Sequence, residues 1–353
     1  MITDIFFDRY EKNLEVRTAL CANNTRFLNQ AARILLEDAL STFSNLNIVD
    51  EWLATNVPSS EYALNDTYKR VCRELGIPRI NNQQTNRDQV LSAIMNGEVN
   101  GASEDLVHGQ LVVFSLLERL FAAFEDLVSI LQARIPERIL QYEDQNKQFK
   151  KTLGGLADSM MALNQTKIDR LKSLLITLPT RKQNALDELN HRLSQAGLSF
   201  RYHLGKFQLS NSGIIESQIE VPFWRLLGAQ EWKSAATDFQ EALDLRDNGG
   251  RDPTAYAMRG LESIVKILCE KSGRVTGNER GFANWVDNLL RDLNGVRIIE
   301  KWERDLLVAL NAQARNLHSH GPGAKPHPTK TLQQINFCIL SSMLWAQNLI
   351  ARS

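Results

Sequence analysis

Cysteine is scarce and scattered: Cys21, Cys72, Cys269 and Cys338 are the four in 353 residues, and no two form a CxxC pair. This excludes a disulfide framework and a cysteine-based zinc site, and it fits reduced core thiols in a cytoplasmic protein. An excess of either charge is also lacking, since 41 basic residues balance 41 acidic ones. Net charge therefore points to no partner, although a neutral chain can still gather positive charge at one site. Long uninterrupted apolar runs are absent too. The opening "MITDIFFDRYEKN" carries charges from Asp4 onward and does not read as a signal peptide. The most apolar stretch, Leu111 to Leu131, is interrupted by Glu118, Arg119, Glu125 and Asp126, which predicts a buried helix with a wet edge and no membrane partner. Neither an internal repeat nor a low-complexity tract is visible.

What the chain does have is apolar residues at three- and four-residue steps over most of its length, with little strand-like alternation, so the fold class is mainly α. Leu111, Phe114, Leu117, Phe121, Phe124, Val128 and Leu131 form one stripe. Pro136 suits the first turn of a following helix that Gly154-Gly155 would interrupt, and another helix is expected from about Thr180 to a stop at Gly197. "LSFRYHLGKFQL", Leu198 to Leu209, alternates across Gly205 and reads as a β-hairpin. Four amphipathic helices then follow, with Leu261, Ile264, Val265 and Leu268 inward on the first, which Asp252-Pro253 starts and Gly273 stops. Phe282, Trp285, Val286, Leu289, Leu290 and Leu293 mark the second, closed by Gly295. Ile299, Trp302, Leu306, Leu310 and Leu317 mark the third, ended by Gly321-Pro322, and Leu332, Ile335, Ile339, Met343 and Ile350 the fourth. Short links between them predict an antiparallel four-helix bundle. The organisation expected is a helical N-terminal sensor or regulatory domain (1–185), a helix end with a β-hairpin (186–222), and a helical bundle (223–353).

The chemistry gathers in "ALNAQARNLHSHGPGAKPHPTK", Ala309 to Lys330. On a helix, Asn316 and His320 share a face, and Arg315 and His318 share the neighbouring one. Gly-Pro-Gly immediately afterwards lets the backbone leave sharply, so the polar groups converge at one helix end. Arg315 offers a planar, permanently charged fork that fits phosphate oxygens and the charge of a transition state. His320 sits where the negative end of the helix dipole favours imidazolium and the neighbouring Arg opposes it, which places its titration near neutral pH and suits general acid or base work. The stretch Asn311 to Lys330 contains no Asp or Glu, and Glu303 and Asp305 lie two or more turns back, so Mg²⁺ would have no carboxylates to hold it there. An Arg and a His five apart make a short pattern that chance supplies in a chain of this length, and a structural helix end remains the competing reading.

"RNLHSHG" resembles the RN-x-x-x-H signature of HEPN domains, four-helix bundles that include many metal-independent endoribonucleases of toxin, antiviral and abortive-infection systems. From about Leu186 onward the chain is also similar to AbiJ-like abortive-infection proteins, in "LNHRLSQAGLSFRYHLGKFQL", "IEVPFWRLL", "AMRGLESIVKIL", "TGNERGFANWVDNLL" and "ARNLHSHGPG". The opening "ITDIFFDRYE" looks like the start of the N-terminal modules in that group. The resemblance implies Arg315 and His320 as the catalytic pair, with Asn316 orienting them. It places Glu262 and Lys266 as supporting polar residues on the first bundle helix, although their i, i+4 spacing also makes an ordinary ion pair. His318 is an addition to the pattern, either a bystander or a substitute proton carrier. The further implications are an RNA substrate, no cofactor and no metal, a homodimer through the C-terminal bundle that brings two motifs into one cleft, and a phage-derived trigger or antitoxin acting on the N-terminal domain.

Lys325 and Lys330 could contact RNA phosphates from the proline-rich loop, while solvated loop lysines are the plainer reading. His108, His191 and His203 are isolated and read as structural, and Trp285, Trp302 and Trp345 read as packing residues. Two rival functions stay open at this point: a catalytically silent HEPN module that binds RNA or a partner protein, and a scaffold in which the bundle only dimerises.

Overall fold

The computed structural model describes residues 5–20, 24–44, 46–77, 106–152, 157–210, 215–315 and 330–352. The described residues are mainly α-helical, with one two-stranded antiparallel hairpin. None of the described helices is long and apolar enough to cross a membrane. The chain divides into two compact units, Met1–Phe207 and Gln208–Ser353, so that the boundary falls inside the second strand of the hairpin.

The first unit opens with short helices: α1 (Phe6–Tyr10), α2 (Leu14–Leu20), α3 (Thr25–Arg33), α4 (Ser41–Ser44), α5 (Leu46–Val49), α6 (Glu51–Asn56) and α7 (Ser60–Glu74). Two long helices follow, α8 (Leu106–Thr152) and α9 (Ala157–Gln195). They run antiparallel, since Asn164 Nδ2 donates to Asn146 Oδ1 at 2.9 Å while Lys182 Nζ lies 3.8 Å from a Glu125 carboxylate oxygen further back. Both contain a proline, Pro136 and Pro179, and both continue through it. The expected breaks at Pro136 and near Thr180 are thus corrected. An interior proline costs a helix about 3 kcal/mol, and the burial of Leu131, Ile135 and Ile139 on one side and Leu171 and Leu178 on the other offsets it.

The hairpin forms where the alternation placed it, as β1 (Phe200–His203) and β2 (Lys206–Leu209). Both turn residues, Leu204 and Gly205, have positive φ, which suits a right-twisted two-residue hairpin. Phe200, Tyr202 and Phe207 are buried and meet Phe6, Phe114 and Phe121 at ring separations of 5.2–5.9 Å. Asn190 on α9 pairs with Tyr202 as a strand would, accepting from its N–H at 2.7 Å and donating to its carbonyl at 2.9 Å. Two carboxylates of α8, the buried Glu118 and the half-buried Glu125, complete the attachment. Glu125 accepts from Tyr202 Oη and the Gly205 N–H, and Glu118 accepts from the Phe207 N–H and from Arg9. The acids that break the apolar run in sequence therefore hold the hairpin against α8.

A second buried group ties α6 to α8. Asp50 caps α6 by accepting from the Leu53 N–H at 3.0 Å, and it also receives Arg138 and Tyr142 Oη. Burial pushes the Asp50 carboxyl up, but the Tyr142 and Leu53 hydrogen bonds and the Arg138 charge outweigh it and leave it below its ordinary value. Burial and the same pairing raise Tyr142 to about 12.

The second unit contains α10 (Val221–Leu227), α11 (Lys233–Asp247), α12 (Pro253–Lys271), α13 (Phe282–Leu290), α14 (Lys301–Arg315) and α15 (Leu332–Ala351). Helix α12 is central, packing against α11, α13, α14 and α15. It buries Ala257, Met258, Leu261, Ile264, Val265 and Leu268 completely. Pro253 is its first residue as expected, whereas Asp252 takes a left-handed conformation (φ 58) and makes no side-chain cap. Thr331 and Gln334 form a reciprocal capping box on α15.

One expected face is wrong. Trp302 and Leu306, assigned inward on α14, are 62% and 52% exposed, and the buried positions are Glu303, Leu307 and Ala314. Helix α14 carries two apolar stripes one residue apart, and a buried acid selects between them. Glu303 accepts from the Glu300 N–H at 2.8 Å and from Arg352 at 2.7 Å, which holds its own stripe against the bundle.

Candidate functional site

Arg315 is the last described residue of α14. The buried Ala314 carbonyl accepts from Thr254 Oγ1 at 2.9 Å and from Lys330 Nζ at 3.0 Å, and Lys330 Nζ also donates to Thr254 Oγ1 at 2.7 Å. This closed triangle joins the end of α14, the first turn of α12 and the residue before the Thr331 cap of α15. Lys330 is half-buried there. Burial pushes its ammonium below the ordinary lysine value, partly offset by the thiol of Cys338 and the carboxylate of Asp252.

Helices α14 and α15 run antiparallel, since Lys330 meets Ala314 at one end and Arg352 meets Glu303 at the other. Between them lies an open groove of about 770 Å³. Leu306, Leu310, Phe337 and Trp345 supply apolar walls, and Gln313 and Lys330 line the end nearest Arg315. Phe337 is 68% exposed and Trp345 half-buried.

The remaining sequence-based site residues divide as follows. Asn316, His318, His320 and Lys325 lie outside the described residues. Glu262 and Lys266 form an ion pair of 2.8 Å on α12, with the Lys266 ammonium 5.9 Å from the centre of the Trp285 ring. They are about 12 and 18 Å along the helix axis from Thr254, so the structure does not bring them to the end of α14. Lys330 donates to groups inside the bundle. Sequence reasoning missed Thr254 and the Ala314 carbonyl; no local pattern marks a threonine that meets a carbonyl 60 residues away.

Other titratable groups have plain structural explanations. Burial, with the Arg201 charge beside it, lowers His203 to about 3, so it is neutral under ordinary conditions. His108 meets the Phe7 ring edge-on at 5.0 Å, and His191 is exposed. Cys72, Cys269 and Cys338 are buried free thiols, and burial raises Cys269 to about 12. Among the described residues no three His, Cys, Asp or Glu side chains group as metal ligands.

The fold is that of a mainly α-helical protein in which Thr254, the Ala314 carbonyl and Lys330 join three helices of the second unit. No protein-family model, curated protein or solved structure matches the chain.

Proposed function

We propose that this protein is a HEPN-type, metal-independent endoribonuclease of an abortive-infection or toxin system, acting in the cytoplasm on cellular or phage RNA. The observation that carries the reading is the sequence Arg315-Asn316-x-x-x-His320 issuing from the end of α14. The 2′-hydroxyl of RNA attacks the adjacent phosphorus and the bond to the 5′-oxygen breaks. His320 takes the proton from the 2′-hydroxyl and returns one to the leaving oxygen, and Arg315 stabilises the phosphorane charge. Asn316 orients the pair. Donor chemistry supports a reaction without metal, since the stretch 311–330 offers Arg, Asn, His and Lys but no carboxylate.

The exposed residues of α14 and α15 suit the homodimer that a composite cleft requires. Trp302, Leu306, Phe337 and Leu344 leave apolar surface uncovered on two adjacent helices of the second unit, the kind of patch that marks an interface. The first unit acts as the sensor or restraint and answers a phage-derived trigger or an antitoxin.

The test is incubation of the purified full chain with RNA and its 2′-deoxy counterpart in excess EDTA, with end groups read by mass spectrometry. The expected products carry 2′,3′-cyclic phosphate and 5′-hydroxyl ends, and DNA resists. Cleavage of DNA, 5′-phosphate ends, or activity only with Mg²⁺ would overturn the mechanism. RNA binding without cleavage would establish the silent module in its place.

A further inference from the structure

The geometry points to Lys330 as a positioning residue for Arg315, acting with Thr254 through the carbonyl of Ala314; this assignment rests on the ribonuclease reading above.

The peptide unit is planar, so the oxygen of Ala314 and the N–H of Arg315 belong to one rigid group. Fixing that oxygen fixes the plane from which the Arg315 Cα departs. Water is excluded from the contact, since Ala314 and Thr254 are 0% and 1% exposed. Two donors converge on the carbonyl from opposite chain directions, 60 residues before it and 16 after. The contact between Lys330 and Thr254 makes the three groups mutually dependent.

The dipoles show why a lysine at this point is unusual. The negative end of α14 favours its charge, but the positive ends of α12 and α15 both oppose it. Burial opposes it as well. A solvated loop lysine would meet none of these costs, so the position is explained by what the ammonium grips. Two of its three hydrogens are directed at Thr254 and Ala314, one residue from the proposed transition-state arginine.

Rates are sensitive to such support, because misplacing a reacting group by about 1 Å can cost about 100-fold. The experiment uses the full chain as parent, Lys330→Met, Lys330→Arg and Thr254→Val. Steady-state cleavage of an RNA oligonucleotide in EDTA is measured beside thermal melting and hydrogen exchange of the amides at the end of α14. Lys330→Met should lower kcat by about 100-fold with KM little changed, and should speed exchange at Gln313 to Arg315. Lys330→Arg, which keeps charge and donors, should recover most of kcat. Thr254→Val, close in shape, should fall between and serves if Lys330→Met does not fold.

A folded Lys330→Met that cleaves at the parental kcat would overturn the proposal and leave the ribonuclease reading intact. So would equal losses of melting temperature in the Met and Arg variants with kcat per folded molecule unchanged, the signature of a purely structural role. If the parent does not cleave RNA, the ribonuclease reading falls, and exchange alone then decides on the clamp. Unchanged protection at Gln313 to Arg315 in Lys330→Met would end it, and faster exchange would uphold it.

Discussion

Both units bury charged side chains and both expose large apolar ones, but in the second two of the exposed ones line a groove. Arg9, Glu118 and Asp50 are buried, and the first two bind the hairpin strand to α8 through the backbone of Phe207. In the second unit Leu306 and Phe337 stay exposed and line a groove. The first unit exposes apolar side chains as well, such as Leu140 and Ile176. Those two, however, are roughly seven residues out of register across the antiparallel pair, about 10 Å apart along the axis, and form no joint patch. A buried ion pair that holds the hairpin strand to α8 explains a fold. Apolar surface left open along a groove needs a partner or substrate to explain it.

The largest effect should come from breaking the charge buried in the first unit. Glu118→Ala removes the acceptor of the Phe207 N–H and leaves Arg9 facing an empty site, which should cost about 3–5 kcal/mol. Chemical denaturation with separate probes for each unit checks this, and the second unit should keep its own transition. Next comes Gly260 on α12. Alanine in place of a helical glycine ordinarily stabilises by about 1 kcal/mol. A Cβ there would lie 2.6 Å from the Phe239 ring, which is fully buried on α11 and cannot yield. Overpacking of this kind costs about 1–3 kcal/mol, so Gly260→Ala should lower the melting temperature of the second unit. Trp302→Glu with Leu306→Glu should leave folding unchanged and convert a dimer to a monomer in light scattering; a parent that is already monomeric and fully active would remove the interface from the account.

A further effect concerns pH. His203 stays neutral in the folded first unit because its value is lowered to about 3, whereas the unfolded chain protonates it near 6.5. Its contribution to stability is therefore complete above about 6.5 and is lost as pH falls from there toward 3. His203→Asn should flatten the acid limb of the stability curve in that window, as urea unfolding at a series of pH values will read.

The hairpin was legible because alternation and a turn glycine are local signals. The helix stops at Gly197 and Gly273 were legible for the same reason, as both take positive φ. So was the inward set on α12, whose residues follow a single stripe. Continuity through Pro136 and Pro179 was hidden, since burial against a partner helix outweighs a local penalty that the sequence displays and the burial that it does not. The face of α14 was hidden because two apolar stripes compete and a contact from Arg352, 49 residues on, decides between them. At the candidate site the helix that leads to Arg315 was legible, whereas its expected end at Gly321-Pro322, with Asn316 and His320, lies outside the described residues. The hold on the Ala314 carbonyl was not legible, because Thr254, Ala314 and Lys330 meet only in the folded bundle.

The central claim is that chemistry resides at the end of α14. It is tested most directly by the rate of RNA cleavage in EDTA for the parent, Arg315→Ala and His320→Ala, each shown by melting to be folded. The account predicts a cleaving parent and two folded, silent variants. A folded Arg315→Ala or His320→Ala that cleaves at the parental rate would contradict it.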